Sequence, residues 1–167
     1  MIRPATPADV PALHTLIREL ADYEKALEEA KATPDQLHEA LFGPHPAAHA
    51  HIATDDTTDE PVGYAIWFLN FSTWRGVHGI HLEDLYVRPT ARGAGHGKAL
   101  LTELARLCVE RGYARLEWAV LNWNTPTIAF YESIGARPQS EWTTYRLTDE
   151  ALTALGTGTP GTGNDLP

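Results

Sequence analysis

Cysteine occurs once in this chain, at Cys108. A single thiol rules out a disulfide framework and with it the small oxidised scaffolds. Long apolar runs are missing too: none approaches the roughly 20 residues of a membrane-crossing helix, and nothing marks a secretory signal. These absences lead to the expectation of a cytoplasmic protein with no membrane contact. Basic residues are scarce, 13 Lys and Arg against 22 Asp and Glu, for a formal net charge of −9. General nucleic-acid affinity rests on neutralising phosphates with Lys and Arg, so it is disfavoured. A cationic small molecule, by contrast, would be drawn in. His49 and His51 share a face by two-residue alternation but have no third ligand nearby in sequence. No metal is expected, and surface or dimer packing is assigned to the pair. No internal repeat is apparent, and 167 residues suffice for one core but not comfortably for two.

What the chain does have is concentrated in one stretch. Leu82-Glu83-Asp84-Leu85-Tyr86-Val87 reads as a strand that carries two carboxylates, residues that strand propensity disfavours. Arg92-Gly93-Ala94-Gly95-His96-Gly97-Lys98 then reads as a glycine-rich loop opening a helix. Glycine lets the backbone take unusual dihedrals and approach a ligand closely. The helix start adds unpaired N–H groups and the positive end of a dipole. Together these make an anion cradle suited to phosphates. Arg88, Arg92 and Lys98 are its candidate cations.

Two familiar phosphate loops do not fit. A P-loop needs a Gly five residues before the Gly-Lys pair and a Ser or Thr after it; here those places hold Arg92 and Ala99. The dinucleotide fingerprint needs a third Gly where Lys98 stands. The spacing Arg-x-x-Gly-x-Gly (Arg92, Gly95, Gly97) after an acidic strand instead resembles the pyrophosphate loop of the GNAT acyl-CoA-dependent N-acetyltransferases. Downstream, Asn124-Thr125-Pro126 and Phe130-Tyr131-Glu132-Ser133-Ile134-Gly135-Ala136 look like the second signature of that superfamily. Ile2-Arg3-Pro4-Ala5-Thr6, the run from Ile17 to Glu24 and Leu82-Glu83-Asp84 resemble its spermidine/spermine (diamine) branch. Phe71-Ser72-Thr73-Trp74-Arg75-Gly76 and Ala119-Val120-Leu121-Asn122-Trp123-Asn124 look closer to the thialysine N-acetyltransferases within it. Ser72 departs from the polyamine enzymes, which carry Asp two residues before the Trp, and this weakens the case for a long polyamine.

The resemblance implies an α/β GNAT fold: a central mixed, mostly antiparallel sheet with a splayed pair of strands, flanked by helices. It implies direct transfer of an acetyl group from acetyl-CoA, as cosubstrate, to the primary amine of a small cationic acceptor. Glu83 would be the base, through water, and Asp84 would bind the ammonium or order that water. Adjacent strand residues point to opposite faces, so only one of the two would meet the acceptor directly. Tyr131 would protonate the departing thiolate. Backbone N–H groups of Leu85, Tyr86 and Val87 would face the pantetheine arm, which Asn124 also holds. Arg92 and the loop Gly93, Ala94, Gly95, His96, Gly97 and Lys98 would carry the pyrophosphate, with His96 an exposed spacer. Glu24 and Trp74 would line the acceptor, Trp74 otherwise being a packing anchor. A homodimer is implied as well. The alternatives are a non-catalytic acyl-CoA sensor and an enzyme acting on protein amino groups.

In chain order, a strand begins at Ile2. A helix starts at Thr6-Pro7 and places Val10, Leu13, Leu16, Ile17 and Leu20 on one face. A second helix is capped by Thr33. Strands are expected over 47–54, 62–71 and 79–87, a helix over 97–111 that buries Cys108, and a strand over 115–121. A helix over 124–134 and a closing strand over 141–147 follow. One domain over 1–150 is expected, with 156–167 a disordered tail of Gly, Thr and Pro.

Overall fold

The computed structural model describes residues 1–158. It divides into two compact units, Met1–Ala119 and a second that begins at Val120. The first is built on a five-stranded sheet in sequential order: β1 (Ile2–Pro4), β2 (His49–Thr54), β3 (Pro61–Ser72), β4 (Val77–Val87) and β5 (Leu116–Trp118). The first four are antiparallel neighbours, and β5 joins β4 in parallel. The helices of this unit are α1 (Val10–Tyr23), α2 (Pro34–Phe42) and α3 (His96–Arg111).

Local chemistry accounts for the helix starts. The Asp9 carboxylate accepts from the backbone N–H and hydroxyl of Thr6 at 2.7 and 2.8 Å, which turns the chain into α1. Arg3 binds the same carboxylate through two nitrogens, both at 2.7 Å. Thr33 and Gln36 cap α2 reciprocally. The stripe of α1 buries Leu13 and Leu16, which join Leu41, Ile52, Tyr64, Ile66 and Tyr86 in one apolar cluster. Helix α3 buries Leu100, Leu101, Leu104, Leu107 and Cys108, the thiol resting 3.6 Å from the Arg115 carbonyl. Cys108 is core, as its helical spacing predicts.

The two histidines of β2 correct the expectation of surface packing. His51 is buried and only His49 is exposed. β2 is an interior strand and α3 packs against it, so an inward-facing residue there is removed from water.

Two irregularities in β4 position the site. Tyr64 pairs with Tyr86 and Ile66 with Asp84, but the next residue of β3, Trp67, pairs with Leu82. Glu83 is therefore an extra residue, a β-bulge. Leu82 and Asp84 face opposite sides of the sheet, because their partners Trp67 and Ile66 are adjacent in β3. Strict alternation of Glu83 and Asp84, the basis for expecting only one of them at the acceptor, fails at this bulge. The β4–β5 ladder runs from Ile80–Leu116 to Leu82–Trp118 and then stops. Among the described residues, no strand pairs with 83–87 along that edge.

In the second unit, α4 (Thr125–Ser133) follows Asn124, and α5 (Asp149–Thr157) is followed by Gly158, the last described residue. Gly135 closes α4 with φ of +89°, its N–H and that of Ala136 bonding back to Glu132 and Tyr131. Two expected strands change. The one over 115–121 shortens to β5. The one over 141–147 is absent: that segment has no regular secondary structure and is exposed, Trp142 and Tyr145 included. Strand propensity forms a strand only where backbone groups find a ladder, and this unit has no strand to offer among its described residues. Of the expected tail, Gly156 and Thr157 lie in α5, and 159–167 lie outside the described residues.

Candidate active site

Asp84 stands in β4 beside the bulge, across from Ile66. It is half-buried at the bulge, and its Oδ2 accepts the hydroxyl proton of Tyr64 at 3.2 Å. Burial pushes its carboxyl up to about 6; the Tyr64 hydrogen bond opposes that, and the charges of Glu83 and Glu24 add to it. Glu24 follows the last turn of α1 and is reached by solvent, yet partial desolvation raises its pKa as well. Glu83 is exposed, with His81 Nε2 3.8 Å from its carboxylate. The three carboxylates singled out in sequence thus come together electrostatically. Among the described residues neither Asp84 nor Glu24 forms an ion pair.

The glycine loop lies at the end of the same strand. Gly93 and Gly95 have φ of +87° and +85°, dihedrals that L side chains avoid, and a Cβ at either would meet nothing within 4 Å. Gly95 caps α3, whose first turn leaves the N–H groups of His96, Gly97 and Lys98 without intrahelical acceptors. Lys98 is exposed, whereas His96 is half-buried, close enough for its charge to act on Asp55 and Asp56. It is less of a free spacer than expected.

The arginines divide their work. Arg88 is committed to Glu19 of α1, with Nε and Nη2 at 2.8 to 3.1 Å from its carboxylate, and so leaves the expected phosphate patch. Arg92 donates from Nε to the Val87 carbonyl at 3.0 Å, and its guanidinium lies over Tyr23 and Tyr86, 5.0 and 5.9 Å from the ring centres. Trp74 is 91% exposed at the β3–β4 turn, which removes the packing-anchor reading. In the second unit, Asn124 precedes α4, and Tyr131 is the buried residue of that helix.

Sequence reasoning missed Tyr64. In Val62-Gly63-Tyr64-Ala65-Ile66 it reads as one more apolar core position, and only the register with β4 reveals its partner. The geometry suits an acyl-CoA cosubstrate. A β4 edge unpaired over 83–87 offers N–H and C=O groups to an amide-bearing arm, and the open glycine loop after it leaves room for phosphates.

Comparison with known proteins agrees. The family described as "Acetyltransferase (GNAT) family" matches residues 13–136. A thialysine N-epsilon-acetyltransferase of Bos taurus is 35% identical over 93% of this chain and 96% of its own length. An L-ornithine N5-acetyltransferase of Arabidopsis thaliana is 32% identical over 92% of this chain and 86% of its own. Among solved structures, an integron cassette protein of V. cholerae superposes with a TM-score of 0.79 at 26% identity, covering 93% and 96% of the two chains. With a free strand edge, an open glycine loop and relatives aligned over nearly their whole length, the chain belongs to the acetyltransferase (GNAT) family, enzymes that draw their acetyl group from acetyl-CoA.

Proposed function

We propose that this acetyltransferase modifies the primary amine of a small cationic acceptor: a diamine, a polyamine, or an amino acid of the thialysine, lysine or ornithine type. The observation that carries the reading is the cluster of Glu24, Glu83 and Asp84, in which Asp84 and Glu24 have no ion-pair partner among the described residues. Removing an anion from water is costly unless a cation joins it. A cationic acceptor completes such a site. The named activities of the thialysine and ornithine relatives support the same class.

An amine of lysine type has a pKa near 10.4, so only a few per ten thousand molecules are neutral at pH 7. A proton must leave before nitrogen can attack the thioester. Glu83, solvent-facing and beside Asp84, takes it through water, while Asp84 and Glu24 hold the positive end of the acceptor and Trp74 flanks its chain. Attack forms a tetrahedral oxyanion, which the N–H groups of Leu85 and Val87 on the free edge of β4 stabilise, while that of Tyr86 turns toward β3. Collapse breaks the C–S bond, and Tyr131 gives its proton to the thiolate. Arg92, Gly93, Ala94, Gly95, His96, Gly97 and Lys98 hold the pyrophosphate, and Asn124 the pantetheine arm. Residues 1–150 work as one catalytic domain, a reading supported by the family match over 13–136. The enzyme is cytoplasmic and homodimeric, and acts without a metal.

The test is release of free thiol from acetyl-CoA in the presence of diamines, polyamines, ornithine, lysine and thialysine. Turnover with one of these classes supports the proposal. Binding of acetyl-CoA without thiol release across the panel would replace the enzyme with a sensor.

A further inference from the structure

Tyr64 is fully buried, its ring within the apolar cluster that α1 shares with the sheet. A phenylalanine would fill such a place without burying a hydroxyl, and a buried hydroxyl costs stability unless it is hydrogen-bonded. Here it donates to Oδ2 of Asp84 at 3.2 Å. The pairing of Tyr64 with Tyr86 and of Ile66 with Asp84 makes the two residues diagonal neighbours on one face of the sheet. The bulge at Glu83 is what brings Asp84 to that face.

We propose that Tyr64 is a positioning residue for the acceptor: its hydroxyl fixes one oxygen of Asp84 so that the other meets the acceptor's ammonium. The inference rests on the reading of Asp84 as an acceptor-binding group. Three groups bear on Asp84 from the elements around it: Tyr64 from β3, Glu83 in β4 itself and Glu24 beyond α1; Tyr86, on the same face, packs its ring 6.4 Å from that of Tyr64. Glu24 and Glu83 are like charges that disfavour ionisation, as does burial. The Tyr64 hydroxyl is the group among them that favours the charged form. The Arg92 guanidinium lies over Tyr86 and Tyr23, and Arg88 is held by Glu19, so neither forms an ion pair with Asp84.

Tyr64→Phe keeps the ring and removes only the donor. In steady-state kinetics with the best amine of the panel, the acid limb of kcat/KM for the amine moves upward by about one pH unit, the order a hydrogen bond to a charged group supplies. At pH 6.5 the KM for the amine rises several-fold, the gap narrows by pH 8.5, and the KM for acetyl-CoA is unchanged. A purely structural Tyr64 would instead lower the melting temperature and depress activity equally at every pH. That pattern, or an unmoved acid limb in a folded variant, overturns the inference. A second measurement keeps it separate from the reading it rests on: the side-chain carboxyl of Asp84 is titrated by NMR in 13C-aspartate-labelled protein without substrates. A midpoint that is higher in Tyr64→Phe than in the parent upholds the pairing even if no amine of the panel reacts, and equal midpoints refute it.

Discussion

The indole N–H of Trp67 donates to Nδ1 of His51 at 3.1 Å, between two side chains that are both buried. Indole is only a donor, so Nδ1 must be the acceptor and the neutral ring carries its proton on Nε2. That nitrogen faces Glu103 Oε1 at 3.9 Å. Burial holds the His51 pKa below its ordinary 6.5, although Glu103 works against it. The unfolded chain then binds a proton more readily than the native one, so stability is complete above pH 6.5 and declines as pH falls below it. Thermal melts between pH 5 and 8 should show that slope, and His51→Gln should flatten it. An identical slope in the variant would assign the effect to other groups.

Asp84 has the opposite sign. Its native carboxyl titrates near 6 against 3.8 for the free group, so the native state holds its proton more tightly. Stability is therefore lost as pH rises through the window from about 4 to 6, and stays lower above it. Asp84→Asn should raise stability at pH 8 by about 2–3 kcal/mol, with little gain at pH 4, while the KM for a cationic amine rises at least tenfold. Chemical denaturation at the two pH values reads the first effect and steady-state kinetics the second.

Asp9 behaves as carboxylates in ion pairs do. The hydrogen bonds from Arg3 hold it down to about 2, with Thr6 assisting. Its contribution is present above the free value of 3.8 and is lost as pH falls through about 2. Asp9→Asn should cost about 2 kcal/mol at pH 7, measured by denaturant unfolding.

At Gly95 a side chain would meet open space but would have to adopt φ of +85°. Gly95→Ala should therefore destabilise the protein by about 1–2 kcal/mol and raise the KM for acetyl-CoA by several-fold, leaving the acceptor's KM unaffected. Isothermal titration with CoA provides an independent reading of the same loss.

Tyr131→Phe should lower turnover by about 10² to 10⁴, the usual range for a general acid, with acetyl-CoA affinity retained. A variant that keeps its circular dichroism spectrum and its full rate would remove Tyr131 from proton transfer.

The order of strands and helices in the first unit could be read directly from the chain. Helical spacing in Val10, Leu13, Leu16 and Ile17, turn residues at 55–61 and 72–76, and the glycines before α3 are local signals, and the elements they announce depend mainly on local chemistry. The segment 141–147 shows where such reading stops. Its residues prefer extended backbone, but a strand also needs a partner, and no property of seven residues can supply one.

The sequence by itself determined the loop and the family. Arg92, Gly95, Gly97, Asn124, Tyr131 and Gly135 stand where the family they resemble carries them, and the positive φ of Gly95 and Gly135 is a local backbone requirement. Only the tertiary structure decided what surrounds Asp84. The bulge at Glu83 arises from the register between two strands, the Tyr64 hydroxyl comes from 20 residues away, and Glu24 arrives from the end of α1. Burial and Coulomb interactions depend on distance in space, so a carboxylate drawn in one letter like any other acquires its chemistry only once the sheet has closed around it.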